Sequence, residues 1–302
     1  MANEKKKRPP VLLIHKKSCN RPDVKEAVRA FQQQGGKIKV IIPWSRKDMK
    51  RAVRREIRKG TRRVIAGGGD GTLNDVISIL MKHHRNDDVT LGVFPLGTAN
   101  DFARGAGIPS NDLKAALKLA AIGDPTIIDV GRMNDEYFLN VASGGFGSEI
   151  TASTPQKLKK ALGGVAYTLM GIAKLSDLKP YRCSVHIAGE TAVETTMLVM
   201  AVGNNRFAGG GFDVAPKANV KDGLLDIAVL ASFEKSEIEH ITRELADPFN
   251  AENKFLFYRQ AADFTIESNR PLHINLDGEP HIGTKFTFEI VPSAISVVLG
   301  PA

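Results

Sequence analysis

The sequence predicts an α/β domain followed by a β-rich domain, on the basis of a change in its pattern and of its length. Over residues 1–130, short apolar runs alternate with stretches of helical periodicity, which is typical of a parallel sheet covered by helices on both faces. Over residues 131–302, short segments of alternating apolar and polar residues are separated by glycine-containing turns, which is typical of antiparallel sheets. A chain of 302 residues is long enough for two such domains.

The elements of the doubly wound first domain follow from the apolar runs and from the helical stretches between them. Ligands bind at the carboxyl ends of the strands in such sheets, so a site is expected in the loops that follow the strands. The predicted strands are 11–14, 38–42, 63–66 and 91–95, and the predicted helices are 22–34, 46–60 and 72–84.

The second domain is predicted to consist mainly of short strands joined by turns. The final segment, 296–302 (SVVLGPA), is expected to return to the first domain. The predicted strands are 183–187, 196–202, 224–230, 263–267, 272–276 and 285–291, with turns at Ala188-Gly189, Asp222-Gly223 and Asp277-Gly278.

Cysteine content and hydropathy favour a cytoplasmic protein that spans no membrane. Cys19 and Cys183 are too few and too far apart to indicate a disulfide framework or a metal site. The uncharged apolar segment 161–173 has only 13 residues, whereas crossing a bilayer takes about 20. We interpret that segment as a helix or a hydrophobic wall inside the fold, and we expect any contact with a membrane to be peripheral.

Positive charge is concentrated in the first domain. Residues 1–130 contain 26 Lys and Arg against 13 Asp and Glu, whereas residues 131–302 contain 16 against 20. A basic half favours an anionic partner such as a nucleotide or acidic lipid headgroups, and no nucleic-acid-binding motif is present. The most basic segment, 46–63, is either a solvated surface helix or a surface that docks transiently on an anionic membrane, helped by residues 5–8. At helical spacing its basic face contains Arg51, Arg54, Arg55, Arg58 and Arg62, and its apolar face contains Met49, Val53 and Ile57.

A glycine-rich loop follows the third predicted strand, in the sequence VIAGGGDGTLND over residues 64–75. Glycines let the backbone approach a phosphate closely, and the helix expected to begin near Thr72 adds partial positive charge. Asp70 would repel a phosphate, so its expected partner is Mg²⁺ or the water around it. The loop is neither a Walker A loop nor a dinucleotide fingerprint, and a turn without a ligand is the alternative.

A second loop of the same construction follows the next strand, in the sequence PLGTANDF over residues 95–102. Gly97 and Thr98 leave the strand, and Asn100 and Asp101 are able to cap a helix. Two such loops after adjacent strands favour one shared nucleotide site over two unrelated turns.

Five motifs together resemble the diacylglycerol kinase-like lipid kinases, and the resemblance runs over roughly residues 10–300. It implies a nucleotide-binding α/β domain and a β-sandwich domain with the active site in the cleft between them. It also implies ATP as phosphate donor, Mg²⁺, and a lipid alcohol as acceptor. The motifs are GGGDGT at 67–72, PLGTANDFA at 95–103, SGGFG at 143–147, NVKDGLLD at 219–226 and NLDGE at 275–279.

The resemblance assigns roles residue by residue. Glu279 matches the catalytic carboxylate, which would accept the proton of the lipid hydroxyl. Asp222 matches a metal ligand for Mg²⁺ or Ca²⁺, together with the backbone carbonyls of Asn219 and Leu224. The ATP contacts are Gly69, Asp70, Gly71, Thr72, Leu73, Asn74, Asp75 and Thr98.

Two positions depart from the family pattern and leave alternatives open. Asp75 stands where the family commonly has Glu, and Pro43 stands where a Thr hydroxyl would meet the nucleotide. A kinase for another small molecule, of the NAD kinase type, and a non-catalytic regulator that binds nucleotide or phospholipid therefore remain alternatives. Asp277 is interpreted either as a group that orients Glu279 or the metal, or as part of a hairpin turn.

The acceptor lipid and the oligomeric state stay open at this stage. Diacylglycerol, phosphatidylglycerol and other lipid alcohols all offer a hydroxyl. Acyl chains are expected either at an apolar wall over residues 158–175 with Phe146, or at Phe207 and Phe212 in the loop 204–212. Core packing is the alternative for these apolar residues.

Overall fold

The computed structural model describes residues 8–83, 88–145 and 179–301. The predicted acyl-chain wall over 158–175, the apolar segment 161–173, Phe146, and most of the basic segment 5–8 lie outside these residues.

The first half is a parallel four-stranded sheet with helices on both faces. Its strands stand in the order β4-β3-β1-β2, and all three pairs are parallel. The bounds are β1 Val11–Ile14, α1 Pro22–Gln33, β2 Lys39–Ile41, α2 Arg46–Arg58, β3 Arg63–Gly68, α3 Asp70–His83, β4 Thr90–Pro95, α4 Asp101–Gly105 and α5 Leu113–Ile122.

Alternate residues of the buried strands face two different cores, which makes the first domain doubly wound as predicted. Leu13 packs in the core that contains α2 and α3, whereas Leu12 packs in the core that contains α1 and α5. In the same way Val64 and Ile65 of β3 face opposite cores. This arrangement leaves the loops at the carboxyl ends of the strands free to form a site.

The second half is a set of antiparallel strands around a third core. β14 pairs with β7 and β8, and both of these pair with β9, so the four strands form a closed circuit. In the third core, the rings of Phe264 and Phe288 stack with centroids 4.9 Å apart. The bounds are β5 Pro125–Met133, β6 Glu136–Phe138, β7 Val141–Gly144, β8 Tyr181–Ile187, β9 Val193–Gly203, β10 Phe207–Ala208, β11 Phe212–Asp213, β12 Leu225–Ala231, α6 Ile238–Ala246, β13 Leu256–Ala261, β14 Asp263–Leu276 and β15 Glu279–Val298.

Strand β15 connects the two halves. Its first part pairs with β14, its last part pairs with β5, and Val297 pairs in parallel with Leu91 of β4. Beyond the strand, Gly300 packs so tightly on Gly107 that an added Cβ would lie 1.8 Å from the Gly107 carbonyl oxygen. The strand therefore runs from Glu279 to the sheet that holds the glycine loops.

The predicted elements agree with the structure in type. Most bounds differ by at most three residues, but β15 begins six residues before and ends seven residues after the predicted strand 285–291. The strands predicted at 263–267 and 272–276 form one strand, because β14 continues through an irregularity in its pairing with β15. Helices α5 and α6 and strands β5, β6, β7, β10, β11 and β13 were not predicted. Within the described ranges, the structure contains no helix with the length and hydropathy of a membrane span.

Candidate functional site

The two glycine loops lie against each other at the carboxyl ends of β3 and β4. The Leu96 N–H donates to the Gly68 carbonyl at 2.8 Å, and the loops then meet at Gly69 and Gly97. A Cβ on Gly97 would lie only 2.5 Å from the Gly69 Cα. The backbones therefore touch where no side chain fits, which explains the glycine at position 97.

Helix α3 begins at Asp70, two residues earlier than predicted, so its first turn is part of the glycine loop. The Gly69 carbonyl accepts the N–H groups of Thr72 and Leu73 at 3.0 and 3.1 Å. Gly71 faces open space, since an added Cβ would have no neighbour within 4 Å. The N-terminal turn of α3 is thus accessible at Gly71, and the helix dipole favours an anion there.

Asp70 joins the first loop to the second. Its carboxylate accepts the Phe102 N–H at 3.2 Å. Burial raises the pKa of Asp70, and the nearby charge of Asp101 raises it further against the hydrogen bond from Phe102. The structure therefore gives Asp70 a role in holding the loops together, which the sequence did not indicate.

Asn100 occupies the predicted N-cap position of the next helix, but its side chain does not cap that helix. Asn100 stands at the N-cap of α4 in a left-handed conformation, with φ of 51°, and makes no capping hydrogen bond. Its side chain instead closes the second loop, accepting the Gly97 N–H at 2.9 Å and donating to the Gly97 carbonyl at 3.0 Å. This closure leaves Thr98 exposed at the tip of the loop.

Asp101 connects the second loop to the glycine-rich segment between β10 and β11. It is buried, and its carboxylate accepts the Gly210 N–H at 2.9 Å. Phe207 and Phe212 flank this segment, and both are at least partly exposed rather than packed in a core.

Leu73 and Asn74 point into the protein. Leu73 belongs to the core beneath α2 and α3, and the Asn74 amide oxygen accepts a hydrogen bond of 3.5 Å from the Ser78 hydroxyl. Both residues are nearly fully buried, so any contact of theirs with a nucleotide would have to involve the backbone.

Asp75 is paired with a cation and is also affected by the charge of a second carboxylate. Arg46, the first residue of α2, forms an ion pair of 2.5 Å with it. Burial raises the pKa of Asp75, Arg46 opposes this shift, and the charge of Glu279 adds to it. Asp75 and Glu279 are therefore close enough to interact although they belong to different halves of the protein.

Glu279 follows a two-residue hairpin turn and is partly exposed. The turn residues Asp277 and Gly278 have φ of 47° and 101°, the signs that a type I′ turn requires. The Asn275 amide oxygen accepts the Gly278 N–H at 2.8 Å and steadies the turn.

Asp277 anchors this turn to the chain between β6 and β7. Its carboxylate is buried and accepts the N–H groups of Leu139, Asn140 and Val141 at 2.7, 3.2 and 2.9 Å. Burial raises the pKa of Asp277 to about 6 against these hydrogen bonds, and the charge of Asp70 contributes. Both interpretations of Asp277 thus apply in part, since it shapes the hairpin and fixes the position from which Glu279 projects.

Asp222 belongs to a second group of carboxylates. It lies in an exposed turn and accepts the Leu224 N–H at 3.0 Å. Burial of its carboxylate and the charge of Asp129 raise the pKa of Asp222. Asp129 anchors this turn, because its two oxygens accept the N–H groups of Gly223 and Ser293 at 2.8 and 2.7 Å.

The Asp222 turn offers oxygen ligands but only one carboxylate. The Asn219 carbonyl already accepts the N–H groups of Lys221 and Asp222 at 2.7 and 3.3 Å. Among the described residues, no three His, Cys, Asp or Glu side chains converge as a metal site would require. Carboxylate and carbonyl oxygens suit Mg²⁺ or Ca²⁺ in kind, and both ions complete their shells with water.

Sequence reasoning missed three residues of this region. Arg46 was counted with the basic segment, and nothing in its neighbourhood indicated a partner 29 positions away. His15 directly follows β1 and donates its backbone N–H to the Gly67 carbonyl at 2.8 Å. Its nearby charge opposes the raised pKa of Asp75. Asp129 did have a signal, since it is a single carboxylate in the apolar run IIDV at 127–130.

Comparison with protein families agrees with both halves of the chain. Residues 9–133 match the diacylglycerol kinase catalytic domain, and residues 140–299 match the YegS C-terminal NAD kinase beta sandwich-like domain. These matches and the fold confirm the predicted order of an α/β domain and a β-rich domain.

Relatives of similar length match over almost the whole chain. The probable lipid kinase YegS-like of Shewanella frigidimarina (strain NCIMB 400) is 41% identical, with 96% of this chain and 93% of the relative covered. The probable lipid kinase YegS of Salmonella arizonae is 40% identical, with 96% of each chain covered.

Solved structures agree in fold at lower identity. A crystal structure of a diacylglycerol kinase from Bacillus anthracis str. Sterne superposes with a TM-score of 0.73 at 20% identity, covering 97% of each chain. The family matches and the relatives together lead to one conclusion: the chain belongs to the YegS group of the diacylglycerol kinase family, a family of lipid kinases.

Proposed function

We propose that this protein transfers the γ-phosphate of ATP to the hydroxyl of a lipid. One observation supports this most directly: the two glycine loops touch at the carboxyl ends of β3 and β4, and Glu279 from the other half interacts with Asp75 beside them. A phosphate site and a carboxylate on the facing hairpin are the two parts that this transfer needs from a protein.

The glycine loops would bind the ATP phosphates through backbone N–H groups. Gly71 leaves open space at the start of α3, where the helix dipole favours negative charge. Gly69 and Gly97 keep the loops close enough to act as one surface. Thr98 is exposed at the tip of the second loop and would contact the nucleotide from that side.

Glu279 would act as the general base. As the lipid oxygen forms its bond to the γ-phosphorus, the hydroxyl proton passes to the Glu279 carboxylate and ADP leaves. Such a base typically contributes about 10²–10⁴-fold to a rate. The buried anchor Asp277 would hold the turn, and therefore the base, in place during the transfer.

The turn at residues 219–224 would hold a divalent cation through Asp222 and the carbonyl oxygens of Asn219 and Leu224. Mg²⁺ or Ca²⁺ bound there would supply positive charge near the domain junction. Asp129 fixes the turn in both cases, because it accepts N–H groups from Gly223 and Ser293.

The test is a transfer assay with labelled ATP and a lipid extract, followed by mass spectrometry of the product. Diacylglycerol and phosphatidylglycerol are the first acceptors to try among purified lipids. Glu279→Gln keeps the size of the side chain and removes the base, so we expect turnover to fall by about 10²–10⁴-fold while ATP affinity is retained. Unchanged turnover in this variant would remove Glu279 from the mechanism.

A second acceptor is worth testing because the C-terminal match is to a domain described as NAD kinase beta sandwich-like. NAD in place of the lipid extract therefore belongs in the same assay. Phosphorylated NAD without phosphorylated lipid would contradict the proposed function. ATP binding without any product would favour a non-catalytic regulator.

A further inference from the structure

The segment that leads from β2 into α2 exposes apolar side chains directly beside the most basic surface of the protein. Trp44 is 75% exposed, and Val40 and Ile42 are 39% and 40% exposed. These three residues occupy alternate positions of the chain as it leaves the edge strand β2. A single exposed apolar residue is ordinary, but several close together, rimmed by charged residues, are typical of a surface that meets a partner.

Helix α2 separates its residues into a buried face and a basic face. Met49, Val53 and Ile57 are buried, as the sequence predicted, and they fix the rotation of the helix on the sheet. The opposite face forms one surface depression lined only by basic side chains. These are Lys47, Lys50, Arg51, Arg54, Arg55, Arg58 and Lys59.

Little of this positive charge is neutralised by the protein itself. The segment 46–63 contains ten basic residues and two acidic ones. Asp48 pairs with Arg51, and Glu56 pairs with Arg55 and Lys39. The remaining charge is exposed and would attract an anionic partner.

We propose that Trp44 and the basic face of α2 form the surface by which this protein docks on an anionic lipid bilayer. Amphipathic tryptophan favours the boundary between headgroups and acyl chains, and Lys and Arg favour the negative headgroups around it. The combination fits a bilayer better than a nucleic acid, because residues 40 and 42 add aliphatic side chains that offer no base stacking.

The position of this surface relative to the candidate site supports the same partner. Trp44 follows the carboxyl end of β2, and the glycine loops follow the carboxyl ends of β3 and β4, so all lie along one edge of the parallel sheet. Two residues after Trp44, Arg46 pairs with Asp75, which interacts with Glu279. A membrane bound at Trp44 would therefore lie near the group that is proposed to activate the lipid hydroxyl. In this respect the inference rests on the proposed function.

Trp44 is the only tryptophan in the chain, so its own fluorescence reports on docking. Vesicles of phosphatidylglycerol, without ATP, should shift its emission to the blue and protect it from acrylamide. Phosphatidylcholine vesicles should do neither, and salt of about 0.5 M should reverse the effect because it screens exposed charges. Sedimentation with the same vesicles gives the partition coefficient.

A charge variant and a matched control separate this surface from overall charge. Each basic residue near an acidic membrane is worth about fivefold in partitioning, so Lys47, Lys50 and Arg54 all replaced by Gln should weaken binding about 100-fold. The control replaces Lys25, Arg29 and Lys118 by Gln, which removes the same charge from exposed positions of α1 and α5 on the other side of the sheet. The control should bind nearly as the wild type does.

The inference would be overturned by equal weakening in both triple variants, by an unchanged Trp44 emission in protein that sediments, or by a shift with RNA but not with vesicles. Glu279→Gln should dock as the wild type does, because the charge and the tryptophan are intact. A protein that docks but phosphorylates no lipid would contradict the proposed function alone. A protein that phosphorylates a dispersed short-chain lipid but ignores vesicles would contradict the docking surface alone.

Discussion

The Asp277 carboxylate accepts the Leu139 N–H at 2.7 Å, joining positions that are 138 residues apart in the sequence. Because Asp277 precedes Glu279 by two residues, this contact ties the hairpin of the proposed base to the chain that enters β7. Asn140 and Val141 donate to the same carboxylate, so three consecutive N–H groups depend on one side chain.

Asp277→Ala should destabilise the protein by about 2–4 kcal/mol, because it leaves buried N–H groups without an acceptor. Chemical denaturation measures the change. Asp135→Ala is a matched control, since Asp135 is exposed in the short turn between β5 and β6 and should cost less than about 0.5 kcal/mol. Equal losses in the two variants would mean that the Asp277 anchor contributes little.

The raised pKa of Asp277 predicts how its contribution changes with pH. An unfolded aspartate titrates near 3.8, whereas burial raises the pKa of Asp277 to about 6 in the folded protein. As the pH rises, the unfolded chain loses this proton before the folded protein does. The stability that protonated Asp277 contributes to the folded protein is therefore full below about pH 4 and is lost as the pH rises through 6. The loss is about 3 kcal/mol at about 1.4 kcal/mol for each pKa unit.

The measurement compares the unfolding free energy of the wild type with that of Asp277→Asn from pH 4 to 7.5. Asparagine does not titrate here, so the difference isolates residue 277 from the other acidic groups. The stability of the wild type relative to the variant should fall as the pH rises. A relative stability that rises over this range would mean that the three N–H donors outweigh burial.

The fold was predictable from local pattern, and the arrangement of the site was predictable only in part. Apolar runs and glycine turns report directly on strands and their ends, so β1 to β4 and the turn at 277–278 were found. The family assignment is confirmed, because the motifs stand in an order that the family matches also cover. Helix α5 was missed although the sequence carries its signal, since the N-cap Asp112 is followed by apolar residues at helical spacing: Leu113, Ala116, Leu117, Ala120 and Ala121.

Contacts between distant residues left no local signal. The Arg46–Asp75 pair joins α2 to α3, and either residue alone is consistent with an exposed charge. Asn100 is of a residue type that often caps helices. In the structure its side chain instead closes the tight loop that the close approach of Gly69 to Gly97 requires. The assigned roles of Glu279 and Asp222 remain predictions.

Alanine at two glycines should separate the contact between the loops from the binding of phosphate. Gly97→Ala places a Cβ 2.5 Å from the Gly69 Cα, so the loops must move apart and stability should fall by about 1–3 kcal/mol. Gly71→Ala meets nothing within 4 Å and should leave stability unchanged or slightly higher. Thermal denaturation measures both effects.

Both variants should weaken ATP binding, but only one of them should do so with a loss of stability. Gly71→Ala should weaken ATP binding without loss of stability, because the new methyl group fills the space that a phosphate would approach. Gly97→Ala should weaken it together with stability. ATP affinity unchanged in Gly71→Ala would place the phosphates elsewhere on the loops.

The last prediction concerns the ion pair of Arg46 with Asp75. In Arg46→Gln, Asp75 keeps the burial and the neighbouring Glu279 charge that raise its pKa, but it loses the cation that opposes them. Asp75 should then protonate at higher pH, so transfer activity near pH 6 should fall by about two- to fivefold, as expected for a partly exposed pair, and recover as the pH rises. Arg243→Gln is the control, since Arg243 forms an exposed ion pair of 2.8 Å with Glu239 in α6 of the other half and is not part of the basic face of α2. If Arg46 acts through Asp75, adding Arg46→Gln to Asp75→Asn should change the pH profile no further; a second, additive loss would show that Arg46 contacts the substrate or the membrane directly.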